Sequence, residues 1–150
     1  MNRLERIQTK IISDAFPELA KVTIPVRWKP MSDAYFETTF GKKREYSIDV
    51  DCSLKKASPD VLSGGMAHEL AHITISFGST PVVIWLDSLL VKYSLLYTIW
   101  DERRTDRLVI KRGYGRELLS FLKYANKRRQ DYSKYDGLTV EEVTKLINRL

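Results

Sequence analysis

The sequence is poor in several residue types, and each scarcity excludes a class of protein. Its 150 residues include one cysteine, Cys52, which excludes a disulfide scaffold and a cysteine-rich zinc module. There is no internal repeat and no low-complexity segment, and only two histidines occur. With 43% hydrophobic and 29% charged residues, the chain has the composition of one folded globular domain.

Signals for export and membrane insertion are lacking too. Residues 1–10 are charged and contain no apolar core of the kind found in signal peptides. The most hydrophobic stretch, residues 81–100, approaches the length of a membrane span, but Asp87 and Lys92 interrupt it. We interpret this stretch as a well-buried helix of a soluble protein, without a membrane span and with a cytoplasmic location.

Hydrophobic periodicity predicts an α+β domain with a strand-rich first third. An amphipathic helix is expected over residues 2–15, followed by about three antiparallel strands, the last two forming a hairpin. A helix capped by Ser58 is expected to contain Gly64 and Gly65, which would allow close backbone packing. The helices are expected at residues 58–77, 82–97, 99–112 and 116–129, with a last one beginning at the Thr139–Glu142 capping box.

Both histidines lie in one motif, His68-Glu69-Leu70-Ala71-His72, within the helix expected from Ser58. Positions i and i+4 share one helical face, so both imidazoles can reach one metal ion. Glu69 can act on a water bound to that metal, taking its proton and passing it to a leaving amine. The competing interpretation is a pair of buried structural histidines.

A zinc site needs a third protein ligand, and no further histidine is present. Glu102 is the best candidate, and Asp106 lies four residues later on the same helical face. Asp106 could accept the free N–H of a histidine and orient its ring. Asp101 and Asp87 are the fallback ligands, and the alternative is a solvated charged face with intrahelical pairs.

These motifs resemble the gluzincin clan of zinc metallopeptidases. More closely, they resemble the catalytic domains of HtpX-like and CAAX prenyl-protease-like peptidases, and the small proteins called minigluzincins. The matching residues are the motif at 68–72, then Glu102 and Asp106, then Gly113 and Tyr114. The resemblance covers roughly residues 44–125.

The resemblance implies a zincin-like fold with a small, mostly antiparallel sheet above the HExxH helix and a helical C-terminal half. Residues 1–130 would form the catalytic domain, and residues 131–150 a helical tail that is either regulatory or part of the core. The strand at residues 45–52 would be a sheet edge that pairs with an extended peptide substrate; the alternative is an interior strand. Thr105 stands where these families usually have alanine.

Such sites usually contain an electrophilic group that stabilises the developing oxyanion. The sequence offers Tyr114 and Arg112 as candidates, together with Tyr93 and Tyr97, and does not choose among them. The predicted function is a zinc-dependent endopeptidase with one Zn²⁺ per chain and a peptide or protein substrate. Whether the enzyme is active or latent, and whether it forms a homodimer, stays open.

A net charge of +6 supports one rival interpretation. Basic runs at residues 42–44, 103–104, 111–112 and 127–129 could bind nucleic acid, with the HExxH motif structural or vestigial. Dispersed runs of this kind are more often solvated helix faces, and no nucleic-acid-binding motif is present. We therefore expect acidic partners to be favoured and treat nucleic-acid binding as the alternative function.

Overall fold

The computed structural model describes residues 1–41, 44–128 and 137–150. The basic residues Lys42, Lys43 and Arg129, and the expected boundary between residues 130 and 131, lie outside the described residues. The described chain is a single α+β domain, as predicted. Its helices are α1 (Arg3–Ala15), α2 (Pro59–Phe77), α3 (Pro81–Tyr93), α4 (Leu95–Val109), α5 (Gly115–Arg128) and α6 (Val140–Ile147). Its strands are β1 (Val26–Lys29), β2 (Phe36–Phe40) and β3 (Tyr46–Asp51).

The three strands form a mixed sheet in the order β1-β3-β2, which corrects two expectations. β3 pairs antiparallel with β2, as the predicted hairpin requires, but parallel with β1. β3 is therefore the central strand, not the edge expected for residues 45–52. The burial of β3 agrees with this central position, because residues on both of its faces are buried. Even Asp49 is buried, and it forms ion pairs with Arg27 and Lys29.

Helix α2 lies at the centre of the core, and its two glycines allow this. A Cβ on Gly64 would lie 2.1 Å from the backbone oxygen of Glu117 in α5. A Cβ on Gly65 would lie 2.1 Å from the ring of Phe36 in β2. The expected close backbone packing is thus confirmed, and it fixes α2 against both α5 and the sheet.

Residues 81–100 contain the expected break between two helices, but the break comes earlier than residue 98 and the helices are more exposed than expected. The two helices are divided at Ser94, whose hydroxyl caps α4 by accepting a hydrogen bond from the Tyr97 N–H at 3.2 Å. Their large apolar side chains are mostly exposed, so the expectation of a well-buried helix is wrong. Among the described residues, no helix is long and apolar enough to cross a membrane.

A kink separates α4 from α5, and α6 packs on the same core. Gly113 adopts a φ of 90°, a conformation that favours glycine, within the π-helical turn Ile110–Tyr114 between α4 and α5. The predicted capping box of Thr139 and Glu142 begins α6. Leu138 and Val143 are buried in the same core as the helices before them. A regulatory role for the tail stays a prediction.

Candidate metal centre

Helices α2 and α4 bring three potential metal ligands to one point. The Nε2 atoms of His68 and His72, one helical turn apart on α2, lie 3.1 Å from each other. The Glu102 carboxylate of α4 reaches both, at 2.9 Å from His68 Nε2 and 3.3 Å from His72 Nε2. All three residues offer a ligand atom within 4.8 Å of the others, so this group could hold a metal ion.

Asp106 contacts the ring nitrogen of His68 that does not face Glu102. One oxygen of its buried carboxylate lies 2.8 Å from His68 Nδ1. The other accepts a hydrogen bond from the Leu138 N–H, also at 2.8 Å. A histidine that donates from Nδ1 keeps the Nε2 lone pair for a metal. The i, i+4 spacing therefore places the Glu102 carboxylate beside both Nε2 atoms and the Asp106 carboxylate beside His68 Nδ1.

The second histidine has a partner that the sequence interpretation missed. The hydroxyl of Thr105 lies 3.3 Å from His72 Nδ1 and donates to the backbone oxygen of Asp101 at 2.9 Å. Because the Thr105 hydroxyl donates its proton to Asp101, its oxygen can accept a hydrogen bond from the Nδ1–H of His72. The Nε2 atom of His72 is then free to bind a metal. Asp101, a fallback ligand in the sequence interpretation, lies 3.7 Å from the same Nδ1 and pairs with Arg104.

Glu69 is buried, and a strand residue fixes one of its oxygens. The Thr38 hydroxyl of β2 donates to Glu69 Oε2 at 2.6 Å. No sequence signal marks Thr38, because a threonine in a strand is ordinary and the contact depends on how β2 meets α2. Both residues line the cavity that contains the two histidines.

The charges of the cluster stabilise one another. Burial alone would lower the pKa of His68, but hydrogen bonds to Asp106 and Glu102 outweigh it and raise the pKa well above its usual value. Burial would raise the pKa of Glu102, yet hydrogen bonds from His68 and His72 lower it overall. Two imidazoles and two carboxylates are thus held together in a largely buried site.

The cluster faces a cavity of about 580 Å³ bounded by β2, α2, α3, α4 and α5. Apolar walls come from residues such as Phe36, Ile75 and Phe121. Arg104 is the only lysine or arginine among the described residues that line it, and its guanidinium lies over the Trp100 ring. Asp87, the other fallback ligand, lines the α3 wall and accepts a hydrogen bond from Tyr97.

The structure does not bring the two leading oxyanion candidates to this cavity. The Tyr114 hydroxyl donates to Asp14 of α1 at 3.1 Å. The Arg112 guanidinium donates to the backbone oxygen of Ala15 at 2.7 Å and pairs with Glu18 at 2.8 Å. Both side chains therefore join α1 to the turn after α4. Of the other two candidates, Tyr93 is exposed, and Tyr97 lies beside Asp87.

Several basic residues named as candidate nucleic-acid contacts are already paired. Arg103 forms an ion pair with Glu142 at 2.6 Å, and Arg112 forms the pair with Glu18. Each pair neutralises a cation that a phosphate backbone would need. No described contact favours a nucleic acid over a protein as the partner.

Comparisons with known proteins identify no relative. No protein-family model, no curated protein and no solved structure matches the chain.

Proposed function

We propose that this protein is a zinc-dependent endopeptidase of the gluzincin type. The observation that carries the proposal is the meeting of His68, His72 and Glu102 at one point, with the Glu69 carboxylate beside them in an open cavity. Two histidines and one glutamate are the ligand set of one group of catalytic zinc sites. A structural zinc site would instead need a fourth protein ligand.

The distances within the cluster fit one small ion. Ligand atoms that share a tetrahedral zinc ion lie roughly 3.4 Å apart, given zinc–ligand bonds of roughly 2.1 Å. The two Nε2 atoms lie 3.1 Å apart, and each contacts a different oxygen of Glu102: His68 contacts Oε2 at 2.9 Å and His72 contacts Oε1 at 3.3 Å. The contacts of Asp106 and Thr105 with the two Nδ1 atoms also leave the correct nitrogens for the ion.

Within this site, the chain's own residues have separate roles in hydrolysis. When bound, zinc supplies Lewis acidity, which polarises a peptide carbonyl and lowers the pKa of a water. The Thr38 hydroxyl donates to Glu69 Oε2 and so helps to fix this carboxylate. Glu69 would accept the proton of the attacking water and pass it to the nitrogen of the leaving amine.

An extended substrate would pair with β2. Because β3 is the central strand, we assign to β2 the substrate-pairing edge that was expected at residues 45–52. Within the described residues, β2 pairs on one side only, with β3, and its residues Phe36 and Thr38 line the cavity. Backbone hydrogen bonds to this edge would hold a peptide across the cluster without requiring a particular side chain.

The test is peptide cleavage by zinc-loaded protein, with Glu69→Gln as the variant and Glu141→Gln as the matched control. Glu141 lies on the exposed side of α6 and is not among the residues that line the cavity. We expect Glu69→Gln to bind zinc normally and to cleave a mixed peptide library about 10²–10⁴-fold more slowly. Unchanged cleavage by Glu69→Gln, or no cleavage by the zinc-loaded wild type, would contradict the proposal.

A further inference from the structure

The hairpin formed by α3 and α4 exposes an unusual amount of apolar surface. Ten large hydrophobic side chains on it are 43–80% exposed. We call this set the hairpin surface: it consists of Val82, Val83, Trp85, Leu86, Leu90, Val91, Tyr93, Leu95, Leu96 and Trp100. Isolated exposed apolar residues are normal, whereas a continuous set of this size marks an interaction site.

The polarity of α3 is the reverse of that expected for a surface helix. Ile84, Asp87 and Ser88 share the side of α3 that lines the cavity, so the one carboxylate of this helix faces the cavity. Val82, Leu86 and Tyr93 recur at helical spacing on the opposite side, which faces outward. A helix with this pattern requires an apolar neighbour on its outer face.

The total surface area is consistent with a missing neighbour. The chain exposes 9117 Å², whereas a compact monomer of 17.4 kDa exposes about 7,900 Å². The excess of about 1,200 Å² is larger than the roughly 800 Å² that each partner buries in a standard stable interface. Ten of the thirteen exposed large hydrophobic side chains among the described residues belong to the hairpin surface, so this surface is where such a neighbour would bind.

The charges around the hairpin favour a protein over a lipid partner. Helices that lie on anionic membranes carry many lysines and arginines on their polar face. The polar side of α3 instead carries Asp87 and Ser88, and the ammonium of its one cation, Lys92, lies over its own Tyr93 ring. None of the ten residues of the hairpin surface is charged, so a second copy can cover them without burying a charge.

We propose that two copies of this chain form a homodimer through the hairpin surface. A two-fold axis would place α3 of one copy against the same helix of the other, because an isologous interface uses one patch twice. Trp85, Tyr93 and Trp100 are of the residue types that dominate binding energy at interfaces. Most of the hairpin surface lies opposite the cavity-lining side of α3, and Val91 is its one member that also lines the cavity. Dimerisation does not depend on the proposed activity.

The test is sedimentation equilibrium of the full chain over a wide concentration range. We expect a mass twice the 17.4 kDa of the monomer. Leu86→Glu and Leu96→Glu, on α3 and α4, should each raise the dimer dissociation constant at least 10-fold. Leu150→Glu is the matched control, because Leu150 is 88% exposed outside the hairpin, and it should change nothing. Circular dichroism would verify that each variant is folded.

Three results would overturn the inference. One is a wild type that stays monomeric up to millimolar concentration, and another is a dimer that neither glutamate variant weakens. The third is a monomer that floats with phosphatidylglycerol vesicles and loses this binding in Leu86→Glu, because the hairpin surface would then be a membrane contact. None of these results depends on zinc or on cleavage.

Discussion

The Asp106 carboxylate joins His68 to the start of the C-terminal segment. One oxygen contacts His68 Nδ1 and the other accepts from the Leu138 N–H, both at 2.8 Å. A Cβ on Gly137 would lie 2.3 Å from that second oxygen, so the chain passes directly behind the carboxylate. The geometry of the proposed metal ligand is thereby tied to the packing of residues 137 and 138.

Replacement of Asp106 should weaken metal binding. Removal of a carboxylate that orients a ligand histidine typically costs 10–100-fold in metal affinity. We expect Asp106→Asn to raise the zinc dissociation constant by about that factor, as measured by competition with a chromophoric chelator. Asp33→Asn is the control, because Asp33 lines the same cavity without contacting a histidine in the described structure. Equal affinities for Asp106→Asn and wild type would refute the role.

Thr105 provides a finer test of the same kind. Thr105→Val keeps the shape of this fully buried side chain and removes the hydroxyl that contacts His72 Nδ1. We expect zinc affinity to fall roughly 10-fold in the valine variant and to recover in Thr105→Ser. If Thr105 had a purely structural role, its substitution would lower the free energy of unfolding of the metal-free protein. The loss and recovery of zinc affinity would then not be seen. A serine variant as weak as the valine variant would argue against the hydroxyl contact.

We expect any side chain larger than that of Gly64 to destabilise the close packing of α2 against α5. A Cβ there would clash with the Glu117 backbone, which cannot move aside as a flexible side chain can. We expect Gly64→Ala to lower the free energy of unfolding by roughly 1–3 kcal/mol in urea denaturation. Gly78→Ala is the control, because a Cβ at Gly78 meets nothing nearer than 3.8 Å. Similar unfolding midpoints for the two variants would mean that this packing is wrong.

The Arg103–Glu142 pair should make the docking of α6 sensitive to acid. The Arg103 guanidinium lowers the pKa of Glu142 from 4.5 to about 2, with a smaller contribution from the Thr139 backbone. A depressed carboxyl pKa stabilises the folded state above pH 4.5, and this stabilisation is lost as the pH falls toward 2. The pair is partly exposed, so we expect its contribution to be below about 1 kcal/mol.

The measurement is the pH dependence of unfolding in metal-free protein, comparing Glu142→Gln with wild type. The two should differ in stability near neutral pH and converge as the pH approaches 2. Glu141→Gln, on the exposed side of α6, should follow wild type throughout. A stability difference that persists unchanged at pH 2 would contradict the assigned pKa.

Local patterns were enough to predict the helix that carries the motif and the relation between Glu102 and Asp106. Both depend on i, i+4 spacing, which a single helix enforces. The order of the strands could not be predicted this way. A central strand and an edge strand can show the same alternation, and the parallel pairing of β1 with β3 depends on the path of the connecting chain.

Contacts between distant segments were also beyond the sequence. The contact of Thr38 with Glu69, and the attachment of Tyr114 and Arg112 to α1, arise only when the elements pack. The exposure of Trp85 and Leu96 was missed for a different reason. Apolar composition predicts burial in some partner, and it does not tell whether that partner lies within the same chain.

The central claim is that His68, His72 and Glu102 bind one catalytic zinc ion. The most direct test is the zinc content of the purified chain, measured by elemental analysis, for wild type and for Glu102→Ala. The account predicts one zinc per chain in wild type and loss of most of it in the variant. A wild type that takes up no zinc when it is supplied, or a variant that retains a full equivalent with unchanged affinity, would contradict it.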